Sequence, residues 1–261
     1  MRKIALITGA SAGIGTATAE ILAENGYNLI VTGRRKGLLD KLKSELGVKF
    51  KSDVLVLNFD IRDRAQTEAA IDSLPKSWKN VDVLINNAGL AAGLAPIQEG
   101  SADDWDQMID TNIRGLLYIT RKVAPLMVKR GYGHIVNITS IAAKEVYENG
   151  NVYCATKHAV DALTRGMRID LVKHGVKVTS IAPGMVNTEF SLVRFKGDKA
   201  RADKVYEGLA PLSADDVAEA VWFALSRPAH VNINDMLLMP TAQANITTTV
   251  RKQNLSQTET S

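Results

Sequence analysis

The stretch Ile4-Ala5-Leu6-Ile7-Thr8-Gly9-Ala10-Ser11-Ala12-Gly13-Ile14-Gly15 decides the fold of this chain. Four apolar residues predict a buried strand, the glycines predict a tight turn, and a helical pattern begins at Gly13. Glycines let a backbone approach a pyrophosphate closely, and a helix N-terminus offers it unpaired N–H groups. The pattern is typical of a dinucleotide site, although a plain glycine turn has a similar composition. The candidate cofactor contacts in this stretch are Gly9, Ser11, Ala12, Gly13, Ile14 and Gly15.

Outward from that turn, short apolar segments alternate with longer amphipathic ones. This alternation predicts a single α/β domain of the Rossmann type, a doubly wound parallel sheet of about seven strands with helices on both faces. The expected strands are Ile4 to Ile7, Asn28 to Thr32, Val54 to Asn58, Val83 to Ile85, His134 to Thr139, Val176 to Ile181 and Met236 to Met239. The expected helices are Gly13 to Asn25, Lys36 to Leu46, Arg64 to Leu74, Ala102 to Arg130, Val152 to His174 and Ala214 to Leu225. Glycines expected to end helices are Gly26, Gly47, Gly131 and Gly175.

Two segments depart from this alternation. Residues 188–208 follow a strand end and become charged and weakly periodic, which predicts a mobile substrate lobe at the ligand crevice. Residues 245–261 are polar and rich in Thr, Ser and Gln. We expect a catalytic domain at 1–244 and a C-terminal tail at 245–261 that is ordered only if a neighbouring subunit covers it.

The composition limits the class of protein. The 261 residues are 46% hydrophobic and 23% charged, which suits one domain with a large core. The formal net charge of +4 comes from dispersed lysines and arginines, so we expect no nucleic-acid partner. A single cysteine, Cys154, excludes an intrachain disulfide framework, and the four histidines show no metal-ligand spacing with it. We expect a cytoplasmic protein without a metal site.

The sequence shows no sign of membrane targeting. Met1 leads almost directly into the first strand and its glycine turn, which leaves too short a segment for a signal peptide. No apolar run approaches the ~20 residues that span a bilayer. We therefore expect no membrane partner and no processing.

The end of the second strand predicts which dinucleotide is bound. Arg34 and Arg35 stand where an Asp or Glu would accept hydrogen bonds from an unphosphorylated ribose. Guanidinium groups pair with phosphate in a bidentate fork, so this site favours a 2′-phosphate and therefore NADP over NAD. The alternative is that both arginines merely stand at the start of a solvent-exposed helix.

Further cofactor contacts are expected at the ends of later strands. Asp60 can accept from an adenine amino group and Ile61 can pack on the ring, although Asp60 could equally cap the following helix. The turn after the fourth strand and the loop after the sixth can hold ribose and nicotinamide, or can be ordinary turns. The candidate contacts there are Asn87, Ala88, Gly89, Pro183, Gly184, Val186 and Thr188.

The stretch Tyr153-Cys154-Ala155-Thr156-Lys157 carries the candidate chemistry. Positions i and i+4 of a helix share a face, so Tyr153 and Lys157 should point the same way, and Ser140 lies thirteen positions upstream. A phenol with a pKa of about 10 is a poor base at neutral pH. An ammonium at ~4 Å and an effective dielectric of ~20 supplies about 4 kcal/mol in favour of the phenolate. We expect Lys157 to lower the pKa of Tyr153, and the three side chains to surround one carbonyl.

Two more polar residues need an interpretation. Asn112 is a poor helix former inside a predicted helix, and a buried amide needs partners, of which a water leading to Lys157 is one candidate. Cys154 could be a nucleophile, but no histidine is placed to activate it. A small buried side chain beside Tyr153 is the favoured interpretation of Cys154.

Together these motifs resemble those of the classical short-chain dehydrogenase/reductases, from Ile4 to about Ala244. The resemblance implies that Tyr153 is the general base in oxidation and the general acid in reduction. It implies that Lys157 stabilises the phenolate and holds the nicotinamide ribose. Ser140 would then bond the substrate oxygen, and Asn112 would position a water on the proton path.

The C-terminal part narrows the resemblance. The segments Thr188 to Ser191, Val193 to Asp198, Arg227 to Asn234 and Met239 to Gln243 are similar to the NADP-dependent 3-hydroxy acid dehydrogenases that oxidise L-serine and L-allo-threonine. This similarity implies a homotetramer and a hydroxy acid substrate whose carboxylate is one carbon removed from the carbinol. Such a substrate needs a cation, for which Arg194 and Lys196 are the candidates unless both are solvated loop charges.

Two other functions remain open. An enzyme of the same family could act on a different substrate, such as a 3-oxoacyl thioester, a sugar or a steroid. A dinucleotide-sensing regulator could keep the fold without catalysis, but it would be expected to lose catalytic residues that are all present here.

Overall fold

The computed structural model describes residues 2–252. Seven strands form the sheet in this part of the chain, namely β1 (Ile4–Ile7), β2 (Asn28–Gly33), β3 (Val54–Asn58), β4 (Val81–Asn86), β5 (Gly133–Ile138), β6 (Val176–Pro183) and β7 (Asp235–Leu238). Their order is β3-β2-β1-β4-β5-β6-β7, and every neighbouring pair is parallel. The predicted doubly wound, Rossmann-type fold is confirmed.

The helices cover both faces of this sheet. They are α1 (Gly13–Glu24), α2 (Lys36–Phe50), α3 (Arg64–Asp72), α4 (Ala102–Ile109), α5 (Leu116–Arg130), α6 (Asn151–Leu171), α7 (Phe190–Arg194), α8 (Lys199–Lys204) and α9 (Ala214–Leu225). Single turns of 3₁₀-helix lie at Lys76–Trp78, Ile141–Ala143 and Val172–His174.

Strand β1 shows why the sheet is buried on both sides. Ala5 and Ile7 belong to a core that α1, α2 and α9 cover, whereas Ile4 and Leu6 belong to a second core that includes residues of α3 and α5. Successive side chains of a strand point to opposite faces, so a strand with a helical layer on each side must be apolar throughout. This explains the uninterrupted apolar run of β1.

The strand order reverses direction between β1 and β4, which places the site. Connections from β1 run outward to β2 and β3, and those from β4 run the other way to β5, β6 and β7. The loops after β1 and β4 therefore diverge at the carboxyl edge of the sheet. In open α/β sheets this divergence opens the crevice in which ligands bind.

Two helices differ from the sequence predictions. Gly47 does not end α2, because the helix continues to Phe50 and Lys51 caps it with a left-handed conformation at φ 54°. The predicted helix Ala102 to Arg130 is interrupted by a π-helical stretch at Asp110–Gly115. Gly115 of this stretch packs on Ile61, and a Cβ there would lie 2.9 Å from the Ile61 Cγ2.

The predicted lobe and the first part of the predicted tail contact each other. The lobe, residues 188–208, contains the short helices α7 and α8. Lys252 N–H donates to the Gly208 carbonyl at 2.8 Å, and Ile246 N–H donates to Glu145 at 2.9 Å. Residues 245–252 thus pack on their own chain, and the rest of the predicted tail lies outside the described residues. Within residues 2–252, every helix is too short or too polar to cross a lipid bilayer.

Candidate active site

A cavity of about 540 Å³ lies at the carboxyl edge of the sheet, where the strand order reverses. The loops after the first six strands line it, and the lobe covers one side. All the candidate site residues line this cavity except Gly15, Asn112 and Lys196. Its charged lining consists of Arg34, Arg35, Lys157, Arg194, Asp60 and Glu189. Cationic side chains outnumber acidic ones, as an anionic ligand requires.

The glycines after β1 stand at positions where a side chain would be strained or would clash. Gly9 and Gly13 have φ values of 65° and 53°, a left-handed conformation that favours glycine. A Cβ on Gly15 would lie 2.3 Å from the Gly9 carbonyl oxygen, so this position also requires glycine. Ala12 precedes α1 and gives it no side-chain cap, which leaves the first N–H groups of the helix to other partners. These features fit a dinucleotide pyrophosphate.

The turn after β4 is bonded directly to the glycine loop. Thr8 Oγ1 accepts from the N–H groups of Asn87 and Ala88, each at 3.0 Å. Asn87 Nδ2 donates to the carbonyls of Thr8 at 2.9 Å and Gly9 at 3.1 Å. The Asn87 side chain therefore holds the backbone of the glycine loop. These bonds connect the two loops that diverge at the crevice.

The two arginines after β2 have different partners. Arg35 donates from Nε to Ser11 Oγ at 3.2 Å and from Nη1 to Glu189 at 2.8 Å. Arg34 lines the cavity, and its charge helps to lower the pKa of Asp60. Both guanidinium groups are exposed at the cavity mouth, so a phosphate can reach them from solvent.

Asp60 does not cap a helix. Asp63 caps α3 instead, by accepting from Gln66 N–H at 3.0 Å. Arg62 holds Asp60 through Nε and Nη2, at 3.0 and 2.6 Å from the carboxylate oxygens, and lowers its pKa. The alternative interpretation of Asp60 as a cap is therefore wrong. The carboxylate is ionised and lines the cavity next to Ile61.

Helix α6 places Tyr153 and Lys157 in the cavity, as their spacing predicted. Both are buried, and Lys157 Nζ lies 5.9 Å from the centroid of the Tyr153 ring. Lys157 Nζ donates to the Ile138 carbonyl at 3.0 Å. Ser140 caps the 3₁₀ turn after β5, where its Oγ accepts from Ala142 N–H at 3.0 Å. The three side chains of the predicted cluster line one cavity.

The pKa values of this pair differ from the sequence expectation. Burial raises the pKa of Tyr153 above its usual value, and the Tyr147 hydroxyl adds to the rise. Burial also lowers the pKa of Lys157 to about 8. The net shift of the Tyr153 pKa is therefore opposite to the one expected from a nearby Lys157, because desolvation dominates. Tyr153 holds its proton at neutral pH.

Asn112 lies in the π-helical stretch, where its side-chain amide makes three hydrogen bonds. Its Oδ1 accepts from Leu90 N–H at 2.8 Å, and its Nδ2 donates to the Leu90 carbonyl at 2.8 Å and to Thr156 Oγ1 at 3.0 Å. Gly89 separates it from Lys157, since a Cβ on Gly89 would lie 3.3 Å from Asn112 Oδ1 and 3.5 Å from Lys157 Nζ. The widened helical turn thus joins α6 to the loop after β4.

Arg194 of α7 lines the cavity above Tyr153. Its guanidinium carbon lies 5.6 Å from the centroid of the Tyr153 ring. Nε donates to the Gly93 carbonyl at 3.3 Å, and Nη2 donates to the Tyr147 hydroxyl. Lys196, in contrast, forms an ion pair with Asp104 at 2.9 Å and does not line the cavity. The prediction for Lys196 as a substrate contact is therefore wrong.

Cys154 is buried next to Tyr153 on α6. Only 1% of it is exposed, and burial raises the pKa of its thiol. It packs with Tyr153, Leu90 and Met108 in a small apolar cluster. The interpretation of Cys154 as a buried filler is confirmed.

A family model described as short chain dehydrogenase matches residues 3–198. The chain belongs to the short-chain dehydrogenase family. This short-chain dehydrogenase is 50% identical over 242 residues to the NADP-dependent 3-hydroxy acid dehydrogenase YdfG of Salmonella typhi, an alignment that covers 92% of the chain and 96% of the relative. It is 45% identical over 239 residues to the serine 3-dehydrogenase of Agrobacterium fabrum, with 92% and 94% covered.

Solved structures agree with this assignment of the short-chain dehydrogenase. The closed form of serine dehydrogenase complexed with NADP⁺ has a TM-score of 0.90 and 46% sequence identity, and the alignment covers 96% of the chain and 100% of that structure. The serine dehydrogenase from Escherichia coli has a TM-score of 0.80 and 42% identity, with 92% and 99% covered.

Several cavity residues of this short-chain dehydrogenase were not among the sequence candidates. Glu189 and Tyr147 contact predicted site residues, and Gln243 and Ile246 reach the cavity from the C-terminal segment. Gln243 Oε1 accepts from Met185 N–H at 2.9 Å. The only sequence feature that pointed to the C-terminal segment is the similarity of Met239 to Gln243 to the 3-hydroxy acid dehydrogenases. Nothing in the periodicity predicts its return to the cavity.

Proposed function

We propose that this short-chain dehydrogenase transfers a hydride between NADP and a 3-hydroxy acid of the L-serine, L-allo-threonine or 3-hydroxypropionate type. The observation that supports it most is the guanidinium of Arg194 above the Tyr153 ring. Among residues 2–252, no carboxylate forms an ion pair with Arg194. A cation beside the catalytic phenol and without an internal counter-ion suits a substrate that brings its own carboxylate.

The cavity fits NADP on the basis of its own residues. The loop after β1 has glycine at positions where a side chain would be strained or would clash, and the start of α1 has no side-chain cap. We propose that this loop and helix end hold the pyrophosphate, that Arg34 and Arg35 hold the 2′-phosphate, and that Asp60 and Ile61 hold the adenine. The nicotinamide half would contact Asn87 to Gly89 and the loop from Pro183 to Thr188. When bound, NADP supplies the hydride acceptor in oxidation and the hydride donor in reduction.

The remaining steps belong to side chains of this chain. Tyr153 would give its proton to the substrate oxygen in reduction and remove it in oxidation. Because burial raises its pKa, Tyr153 is protonated at neutral pH and ready to act as the acid. Ser140 would bond the same substrate oxygen, Lys157 would hold the ribose hydroxyls, and Asn112 would position a water on the proton path.

The wider organisation is also a proposal. We propose a catalytic domain of residues 1–244 with a substrate lobe at 188–208, in a cytoplasmic homotetramer. The subgroup resemblance and the single buried cysteine support it. Light scattering of the purified protein should give four times the 28.3 kDa chain mass.

A substrate screen tests the proposed function. NADP reduction is followed by absorbance with L-serine, L-allo-threonine, 3-hydroxypropionate, 3-hydroxybutyrate and simple alcohols, and then repeated with NAD. We expect hydroxy acids to exceed uncharged alcohols in kcat/KM, and NADP to exceed NAD. Equal activity on matched acids and alcohols, or activity only on 3-oxoacyl thioesters, would reject the substrate class.

A further inference from the structure

We propose that Tyr147 is a positioning residue that holds Arg194 over the reacting centre and thereby gives the enzyme its preference for carboxylate substrates. The proposal rests on the proposed function, because it assigns the substrate carboxylate to Arg194. Tyr147 lies on the turn before α6, 47 positions from Arg194 in the chain. The contact exists only in the folded cavity.

The turn fixes the ring of Tyr147 in place. Gly150 N–H donates to the Tyr147 carbonyl at 3.1 Å, and Asn149 has a φ of 62°. A Cβ on Gly150 would lie 2.3 Å from the Tyr147 ring, so the ring lies directly against the glycine backbone. The phenol is half-buried and lines the cavity. Its hydroxyl is therefore presented to the lobe from a defined position.

Arg194 is held on two sides by groups that cannot neutralise it. Nη2 donates to the Tyr147 hydroxyl, and Nε donates to the Gly93 carbonyl at 3.3 Å. The guanidinium carbon also lies 5.4 Å from the centroid of the Tyr147 ring and 5.6 Å from that of Tyr153. Nη1 has no hydrogen-bond partner within the described part of the chain. Its two N–H groups remain for a ligand.

This arrangement prepares the guanidinium for an anion. An arginine side chain loses rotational freedom when it binds, and neutral partners that fix it beforehand reduce that cost. The Tyr147 hydroxyl, unlike a carboxylate, orients the guanidinium without removing its charge. Removal of the hydroxyl alone should leave Arg194 charged but less well placed, so that substrate binding suffers more than proton transfer at Tyr153.

The test compares 3-hydroxypropionate with its methyl ester, which has the same carbinol and no charge. In Tyr147→Phe the ring remains against Gly150 and only the hydroxyl is lost. We expect the KM for 3-hydroxypropionate to rise about tenfold and the KM for the ester to stay nearly unchanged. Any change of kcat through the pKa of Tyr153 should be the same for both substrates. Tyr132→Phe is the matched control, since Tyr132 stacks on Arg130 at 4.6 Å outside the cavity.

The outcomes separate this proposal from the proposed function. Equal losses on acid and ester, or no change on either, would reject the role of Tyr147. If Arg194→Ala abolishes the preference for the acid but Tyr147→Phe retains it, the proposed function stands and this inference fails. If the unaltered enzyme uses the acid no better than the ester, both are rejected.

Discussion

Arg35 and Glu189 form an ion pair across the mouth of the cavity, with 2.8 Å between Nη1 and Oε2. The pair joins the glycine-loop side of the site to the start of the lobe, because Arg35 also donates to Ser11 Oγ at 3.2 Å. About half of each side chain is exposed, at 47% and 52%. Exposed pairs contribute only about 0 to 1 kcal/mol to stability, so the effect of this pair should appear in cofactor binding rather than in stability.

Replacement of Glu189 by Gln should therefore strengthen NADP binding. A 2′-phosphate and the Glu189 carboxylate would compete for the Arg35 guanidinium, and their like charges would repel each other. We expect the KM for NADP to fall about threefold at low ionic strength and the difference to shrink in high salt. Glu207→Gln, which removes an exposed lobe carboxylate outside the cavity, is the control. An unchanged or higher KM in Glu189→Gln contradicts this assignment.

Tyr153→Phe should lower kcat by orders of magnitude while the Kd for NADP changes little. The substitution removes the hydroxyl that moves the proton and keeps the ring against Phe190, whose centroid lies 5.6 Å away. Stopped-flow or steady-state turnover and fluorescence titration of NADPH measure the two effects separately. Near-normal turnover would end the assignment of Tyr153 as the general acid and base.

The two directions of the reaction should respond differently to pH. Because burial raises the pKa of Tyr153, the phenolate needed for oxidation is scarce at neutral pH and becomes more abundant as pH rises. We expect kcat for oxidation to rise from about pH 6 to about pH 9. Reduction needs the protonated phenol and should stay level through neutral pH. Oxidation that is flat across this range would mean that another group removes the proton.

Removal of residues 245–261 should weaken substrate binding, whereas removal of 253–261 should not. The chain that ends at residue 244 loses Ile246 from the cavity lining and the hydrogen bond from Lys252 N–H to the Gly208 carbonyl on the lobe. We expect the KM for the hydroxy acid to rise about fivefold or more, together with a lower Tm. Both truncated chains are compared with the full chain. Equal kinetics for all three would show that the C-terminal segment does not form part of the site.

The local motifs were readable from the sequence because each depends on near neighbours in the chain. The glycine turn requires a conformation set by Gly9 and Gly13, and the i, i+4 spacing alone puts Tyr153 and Lys157 on one helix face. The strand pattern also predicted the number of strands, since a sheet covered on both faces needs apolar strands. Helix ends were less certain, as the continuation of α2 past Gly47 shows.

The pKa of Tyr153 and the partners of the charged side chains were decided by the tertiary structure. The spacing predicted that Lys157 lies near Tyr153, but the Lys157 ammonium donates to the Ile138 carbonyl. Burial raises the pKa of Tyr153, whereas the sequence predicted that this pKa is lowered. Desolvation depends on everything packed around a group, which no local pattern reports. The contacts of Tyr147 with Arg194 and of Arg35 with Glu189 join residues 47 and 154 positions apart. The sequence by itself determined the fold and the candidate catalytic residues. Only the tertiary structure determined the pKa shifts of those residues and their hydrogen-bond partners, because both depend on groups that are distant in the chain.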